Sequence, residues 1–199
     1  MTKTFQGSVG NSYRIIKELG RGGQGIVYLC ERENDNSRCA VKWYKKTTAT
    51  LSQRNRILSL INRGAPETFN SEVMFIWPTE LVEMEGKSEF GYVMPVIDSD
   101  KFVHNNKVAR KRVAAPSLKT LARISFNIAT ALDALHAAGL AYCDINLGNI
   151  QIDCENGCVI ICDNDNVVPN NTEAEIFGMV DFMAPEVAKN DERPSAVSD

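Results

Sequence analysis

Apolar residues recur as short strands separated by polar turns over the first half of the chain, and helical spacing takes over in the second half. Residues 1–11 read as a polar tail. After it, YRIIKEL (13–19), IVYLCE (26–31) and CAVKWY (39–44) carry the β-branched and aromatic content of half-buried strands. A glycine cluster separates the first two and the polar ENDNSR the last two, which predicts a three-stranded antiparallel meander. Leu51, Ile57, Leu58 and Ile61 stand at helical spacing, and Arg63-Gly64 ends that element. PTELVEME and EFGYVMPVI, joined by a turn at Gly86-Lys87, bring the strand count to five.

Residues 98–116 are polar and read as a solvated loop, with Lys107, Arg110, Lys111 and Arg112 clustered in it. Beyond them Leu118, Leu121, Ile124, Ile128, Leu132 and Leu135 step by three or four, a long amphipathic helix closed at Gly139. NIQID and CVIIC predict a hairpin over the Glu155-Asn156-Gly157 turn. Strands first and helices afterwards make an α+β chain in two parts, 12–97 and 98–199.

Composition adds little to this and excludes more. Of the 199 residues, 44% are hydrophobic and 24% charged, ordinary for a soluble globular protein. A net charge of −3 gives no global reason to expect nucleic acid as a partner. The amino terminus has no apolar core for a signal peptide, and no apolar run reaches the roughly 18–20 residues that span a bilayer. The expected location is the cytoplasm. The six cysteines include no Cys-x-x-Cys pair, and His104 and His136 lie apart, so free thiols are expected rather than zinc or disulfides. Cys154 and Cys158 alone would face each other across a hairpin.

Four features carry chemistry. Gly20-Arg21-Gly22-Gly23-Gln24-Gly25 lies between two strands, where a backbone without side chains bends closely over phosphates. A dinucleotide fold would follow this motif with a helix, whereas IVYLCE is a strand, which favours a nucleotide flap over a sheet. Lys42 sits in the apolar strand Ala40-Val41-Lys42, where an ammonium is costly unless an anion meets it. Asp144 and Asn149 share one loop after the long helix. The first suits a hydroxyl proton, and the second offers a neutral oxygen to a metal. Asp163 closes the apolar strand CVIIC and needs a cation or donors; Mg²⁺ bound to ATP fits. Singly, each also reads as a turn, cap or solvent-facing residue.

In this order, and with Ala184-Pro185-Glu186 downstream, the features resemble the protein kinase superfamily. The resemblance covers about residues 13–199. It implies a two-lobed fold, with a five-stranded antiparallel first lobe and one helix (12–97) and an incomplete helical second lobe holding the catalytic loop and activation segment (98–199). It also implies that Lys42 holds the α/β-phosphates of ATP, that Asp163 and Asn149 bind Mg²⁺, and that Asp144 receives the substrate hydroxyl. Residues 20–25 would cover the phosphates, and Val27 and Ala40 would sandwich the adenine. Met94 resembles the gatekeeper and Pro95-Val96-Ile97 the hinge, with Pro95 offering its carbonyl and Ile97 its N–H.

The pattern is broken in four places. The helix after Lys42 contains no acidic residue, which leaves Gln53, Glu67 and Glu72 as candidate partners of the lysine. His-Arg-Asp becomes Tyr142-Cys143-Asp144, without the arginine that reads a phosphorylated activation loop. Asn146 stands in the catalytic loop where the family commonly has a lysine, which removes a charge contact to the γ-phosphate. Asp-Phe-Gly becomes Asp163-Asn164-Asp165, losing the apolar switch residue and adding a carboxylate near the metal. These variations resemble a divergent bacterial branch of Ser/Thr kinase-like proteins, whose members often accompany a PP2C-type phosphatase and a von Willebrand A-like protein. Residues 195–199 resemble the start of the large lobe's core helix, so the long helix is expected to lack part of its apolar cover. Three functions remain open at this point: a protein Ser/Thr kinase, a nucleotide-binding pseudokinase, and a small-molecule kinase of aminoglycoside or choline type.

Overall fold

The computed structural model describes residues 3–69, 72–172 and 180–199, so part of the expected activation segment lies outside the described residues. In chain order the first strands are β1 (Thr4–Gly7), β2 (Ser12–Arg21), β3 (Gly25–Arg32) and β4 (Arg38–Tyr44). Helix α1 (Leu51–Arg63) and strands β5 (Val73–Phe75), β6 (Glu80–Glu83), β7 (Phe90–Met94) and β8 (Val103–His104) follow. The remainder is α2 (Asn105–Ala109), α3 (Leu118–Ala137), β9 (Leu140–Ala141), β10 (Ile150–Ile152), β11 (Val159–Ile161), β12 (Val168–Pro169) and α4 (Pro185–Ala188). Two compact units result, one of Met1–Ala65 with Trp77–Val96, the other of Pro66–Ile76 with Ile97–Asp199.

The first unit is a closed six-stranded barrel in the order β1-β2-β3-β4-β7-β6. The five expected strands are present, but residues 1–11 are not all tail. Thr4–Gly7 pairs with β2 and with β6 and closes the sheet. The physical reason is Phe5, which is fully buried with Tyr13, Cys30, Cys39, Val41, Val82 and Val93 and stacks on Trp43 with centroids 4.9 Å apart. A four-residue strand with one buried aromatic is too short to show a period. Thr50 caps α1, its side chain accepting the Gln53 N–H at 3.1 Å, and Gly64 ends it at φ 77°, donating to Leu60 O. Gly91 allows β7 to pass against β4, since a Cβ there would lie 2.5 Å from the Lys42 carbonyl oxygen.

In the second unit β5, β11, β10 and β8 form one sheet and β12 pairs with β9. The chain contributes β5 to this sheet, parallel to β11, before it returns to the barrel. The expected hairpin is β10–β11, paired Ile150↔Ile161 through Ile152↔Val159. Ser117 caps α3, accepting the Thr120 N–H at 3.1 Å, and the helix runs as its periodicity predicts. Its buried face is Ile124, Asn127, Thr130, Ala131 and Leu135, while Leu118 (84% exposed), Leu121 and Phe126 face outward. The stretch 98–116 is not all loop: it contains β8 and the single turn α2. All six cysteines are free, Cys154 and Cys158 included. Among the described residues no helix is long and apolar enough to cross a membrane.

Candidate active site

Within the second unit, the segment after β9 folds back on itself around Asp144. Asn146 Nδ2 donates to Asp144 Oδ1 at 3.0 Å, and Asn149 Nδ2 donates to Asp144 Oδ2 at 2.7 Å. The two amides also reach the Asp144 carbonyl. The Oδ1 of Asn146 accepts the backbone N–H groups of Gly148 (2.8 Å) and Asn149 (3.1 Å). Asn146 is thus buried and spent on shaping the loop, a role that its place in the motif does not disclose. Asn149 has turned its amide nitrogen to Asp144, which leaves its oxygen as the hard ligand that a metal would use.

Two backbone positions hold this loop in place. Cys143 has φ 69°, a left-handed conformation that non-glycine residues adopt rarely. Its N–H donates to Asp199 Oδ1 at 3.1 Å, and the Tyr142 N–H donates to Asp199 Oδ2 at 2.6 Å. Asp199 Oδ2 also lies 3.1 Å from His136 Nε2 on α3. Tyr142 itself is buried, its hydroxyl donating to the Cys162 carbonyl.

Asp163 follows directly and sits at φ 50°, ψ 41°, also left-handed. The Cys162 N–H donates to the Asn149 carbonyl at 2.8 Å, so the loop that carries Asp144 and Asn149 and the end of β11 are stitched together. Burial pushes the Tyr142 phenol well above its ordinary value, and the charges of Asp163, Cys162, Asp144 and Asp165 push the same way. Asn164 is fully buried where the family's pattern has an apolar residue, and its Nδ2 donates to the carbonyls of Ile76 and Ile161, both at 2.9 Å. Asp165 is also fully buried.

Most of the other predicted residues belong to the first unit. Lys42 on β4 is buried, its Nζ donating to Gln24 Oε1 at 3.0 Å and lying 5.8 Å from the Tyr44 ring centroid. Gln53 is buried on α1 and gives its amide to the Tyr44 hydroxyl at 2.8 Å. Glu72 meets Arg123 and Asn127 of α3. Val27 stands opposite Lys42 across β3–β4, and Ala40 opposite Met94 across β4–β7. Pro95 and Val96 are exposed beyond Met94, and Ile97 begins the longer segment of the second unit.

The glycines of the 20–25 segment divide into two kinds. A Cβ on Gly25 would lie 2.4 Å from the Trp43 carbonyl oxygen, so the protein's own packing demands that glycine. A Cβ on Gly20, Gly22 or Gly23 would meet nothing within 4 Å, and none of the three has the left-handed φ that would require glycine. Bare backbone with open space above it fits a phosphate chain. Lys45 Nζ donates to the Gly22 carbonyl at 2.7 Å and Arg21 pairs with Glu18. The oxygen set of Asn149 and Asp163 suits Mg²⁺, which binds through one or two protein ligands, water and substrate phosphates.

The sequence matches the protein kinase domain family over residues 13–199. Among curated proteins it is 25% identical to the serine/threonine-protein kinase Sgk2 of Homo sapiens, over 93% of this chain and 49% of that one. It is 29% identical to the nitrogen permease reactivator protein of Saccharomyces cerevisiae, over 92% of this chain and 24% of that one. The chain thus spans about half the length of the Sgk2 relatives. Among solved structures, a double mutant of the Mycobacterium tuberculosis PknI kinase domain superposes with a TM-score of 0.68 at 19% identity, covering 97% of this chain and 71% of that one.

Proposed function

The chain belongs to the protein kinase domain family, and from that premise we propose that it transfers the γ-phosphoryl group of magnesium-bound ATP to a serine or threonine hydroxyl of a protein. The observation that carries this is the catalytic loop, where two amides fix both carboxylate oxygens of Asp144. A carboxylate so held accepts and orients the incoming hydroxyl and takes its proton. Asn149 and Asp163 would hold Mg²⁺, and Lys42 would meet the phosphates in place of Gln24. When bound, the magnesium–ATP complex supplies the phosphoryl group and a leaving oxygen whose charge the metal offsets. The chain's own part is positioning and electrostatics, with no covalent intermediate. Met94, Pro95 and Ile97 would frame the adenine with Val27 and Ala40. The PP2C-type phosphatase and von Willebrand A-like partners implied by the catalytic-loop resemblance belong to the same proposal, with co-purification as their test.

One observation favours a second reading, a nucleotide-binding pseudokinase: α1 carries no acidic residue. Transfer of labelled phosphate from magnesium ATP separates the two. Protein labelling that Asp144→Ala and Asp163→Ala both abolish supports the kinase reading. ATP binding without transfer, unchanged by Asp144→Ala, supports the other. Labelling of a small alcohol or amine with proteins untouched would contradict both.

A further inference from the structure

The basic run that reads in sequence as a solvated loop forms the wall of a pocket shared with the catalytic loop. Lys107, Arg110, Arg112 and His104 line this pocket of about 380 Å³ together with Gly148 and Asn149. Hydrogen bonds and strand pairing fix the wall to the loop. His104 Nδ1 lies 2.9 Å from the Gly148 carbonyl oxygen, and the Asn106 N–H donates to the Leu147 carbonyl at 3.1 Å. Strand β8 pairs with β10 through His104↔Gln151. Arg110 and Arg112 continue the same turn, their N–H groups donating to the carbonyls of Asn106 and Lys107.

Among the described residues, none of Lys107, Arg110 and Arg112 forms an ion pair. Three cations therefore stand together on a protein of net charge −3, in a pocket also lined by Asn149, whose amide donates to Asp144 at 2.7 Å. Like charges held together without an anion repel, and an entering anion relieves that repulsion. Guanidinium forks match the planar oxygen pairs of carboxylates and phosphates.

We propose that this pocket selects the protein substrate, taking an acidic side chain, carboxylate or phosphoryl, that flanks the acceptor hydroxyl. The proposal rests on the kinase reading of the neighbouring loop and names its substrate class as acidic or already phosphorylated segments.

The test measures equilibrium binding and transfer side by side. Fluorescence anisotropy at about 0.1 M salt is recorded for serine peptides alike except that the flanking residues are glutamate, phosphoserine, alanine or lysine. One or two charge-assisted contacts correspond to about tenfold tighter binding of at least one acidic peptide over the alanine peptide. The double variant R110A/R112A brings that preference to within about twofold. Lys111→Ala, which removes a cation of the same run outside the pocket wall, leaves it intact. Whether glutamate or phosphoserine gives the larger effect divides carboxylate from phosphoryl recognition. Acidic peptides that bind no tighter than alanine, or a preference that survives R110A/R112A, overturn the proposal. Labelled-phosphate transfer to the same peptides keeps the two claims apart. Acid preference without transfer defeats the kinase reading alone, and transfer without acid preference defeats the pocket alone.

Discussion

Asp199 holds Cys143: its carboxylate accepts the Cys143 N–H at 3.1 Å and so fixes a residue whose φ of 69° the chain would not otherwise prefer. The same carboxylate accepts the Tyr142 N–H at 2.6 Å. Asp144 is the next residue, so the aim of the proposed catalytic carboxylate depends on a side chain 55 positions further along the chain.

Asp199→Ala is expected to leave two backbone N–H groups without their acceptor. At about 1–3 kcal/mol for each buried unsatisfied donor, the loss is about 2–6 kcal/mol. Chemical denaturation checks the stability, and ATP-dependent transfer should fall with it. Asp199→Asn, which keeps one acceptor oxygen, should lose less. A stability unchanged by Asp199→Ala would show that the anchor is not needed.

Asn164 carries the second prediction. Its amide donates to the Ile76 and Ile161 carbonyls, and of the two the Ile161 oxygen also accepts the Ile76 N–H. Asn164→Leu should therefore cost about 1–3 kcal/mol, mostly through the Ile76 carbonyl. Asn164→Phe, which restores the family's usual residue type, should destabilise further because the site is fully buried and already packed. A thermal melt reads both, at roughly 2–4 °C per kcal/mol for a domain of this size. A phenylalanine variant as stable as the parent would mean that this segment repacks freely.

Structure is legible in this sequence where a period runs for several residues or where residue types recur in order. Strands β2 to β4, the long α3 and the loop from Asp144 to Asn149 were legible for that reason. β1, β5 and β8 were not, because two to four residues carry no period and their partners lie far off in the chain. Within α3, Leu118 and Leu121 belong to the apolar stripe yet face outward, while Asn127 is buried and donates to Glu72 and the Gly157 carbonyl. Asn164 shows the same limit: its partner Ile76 is 88 residues away, so nothing local marks it as a fastening. Asn146 is a catalytic candidate by its place in the motif alone, and the motif does not disclose that its oxygen accepts two N–H groups of its own loop.

Alkaline pH should weaken the fold. Burial pushes the Cys30 and Cys162 thiols from 9.0 up to about 12, helped by Cys39 and Asp163 respectively, and the Cys39 thiol up to about 11. Folded values raised above unfolded ones mean that the unfolded chain releases protons first. This contribution is complete below about pH 9 and is lost as pH climbs towards 11–12. Denaturant midpoints should hold steady from pH 7 to 9 and decline above that, and Cys162→Ala should soften the decline. A midpoint that stays level through pH 10.5 would contradict the burial of these thiols.

The proposed function has Lys42 meet the phosphates of ATP and Asp163 hold its Mg²⁺, and an acyl-phosphate derivative of ATP tests it most directly because it acylates an amine lying against the phosphates. Peptide mapping after labelling should find Lys42 as the modified residue, with labelling raised by Mg²⁺ and suppressed by excess ATP. In Asp163→Asn the enhancement by Mg²⁺ should disappear. Labelling that passes over Lys42, or that marks it equally with and without Mg²⁺ in both proteins, would contradict the account.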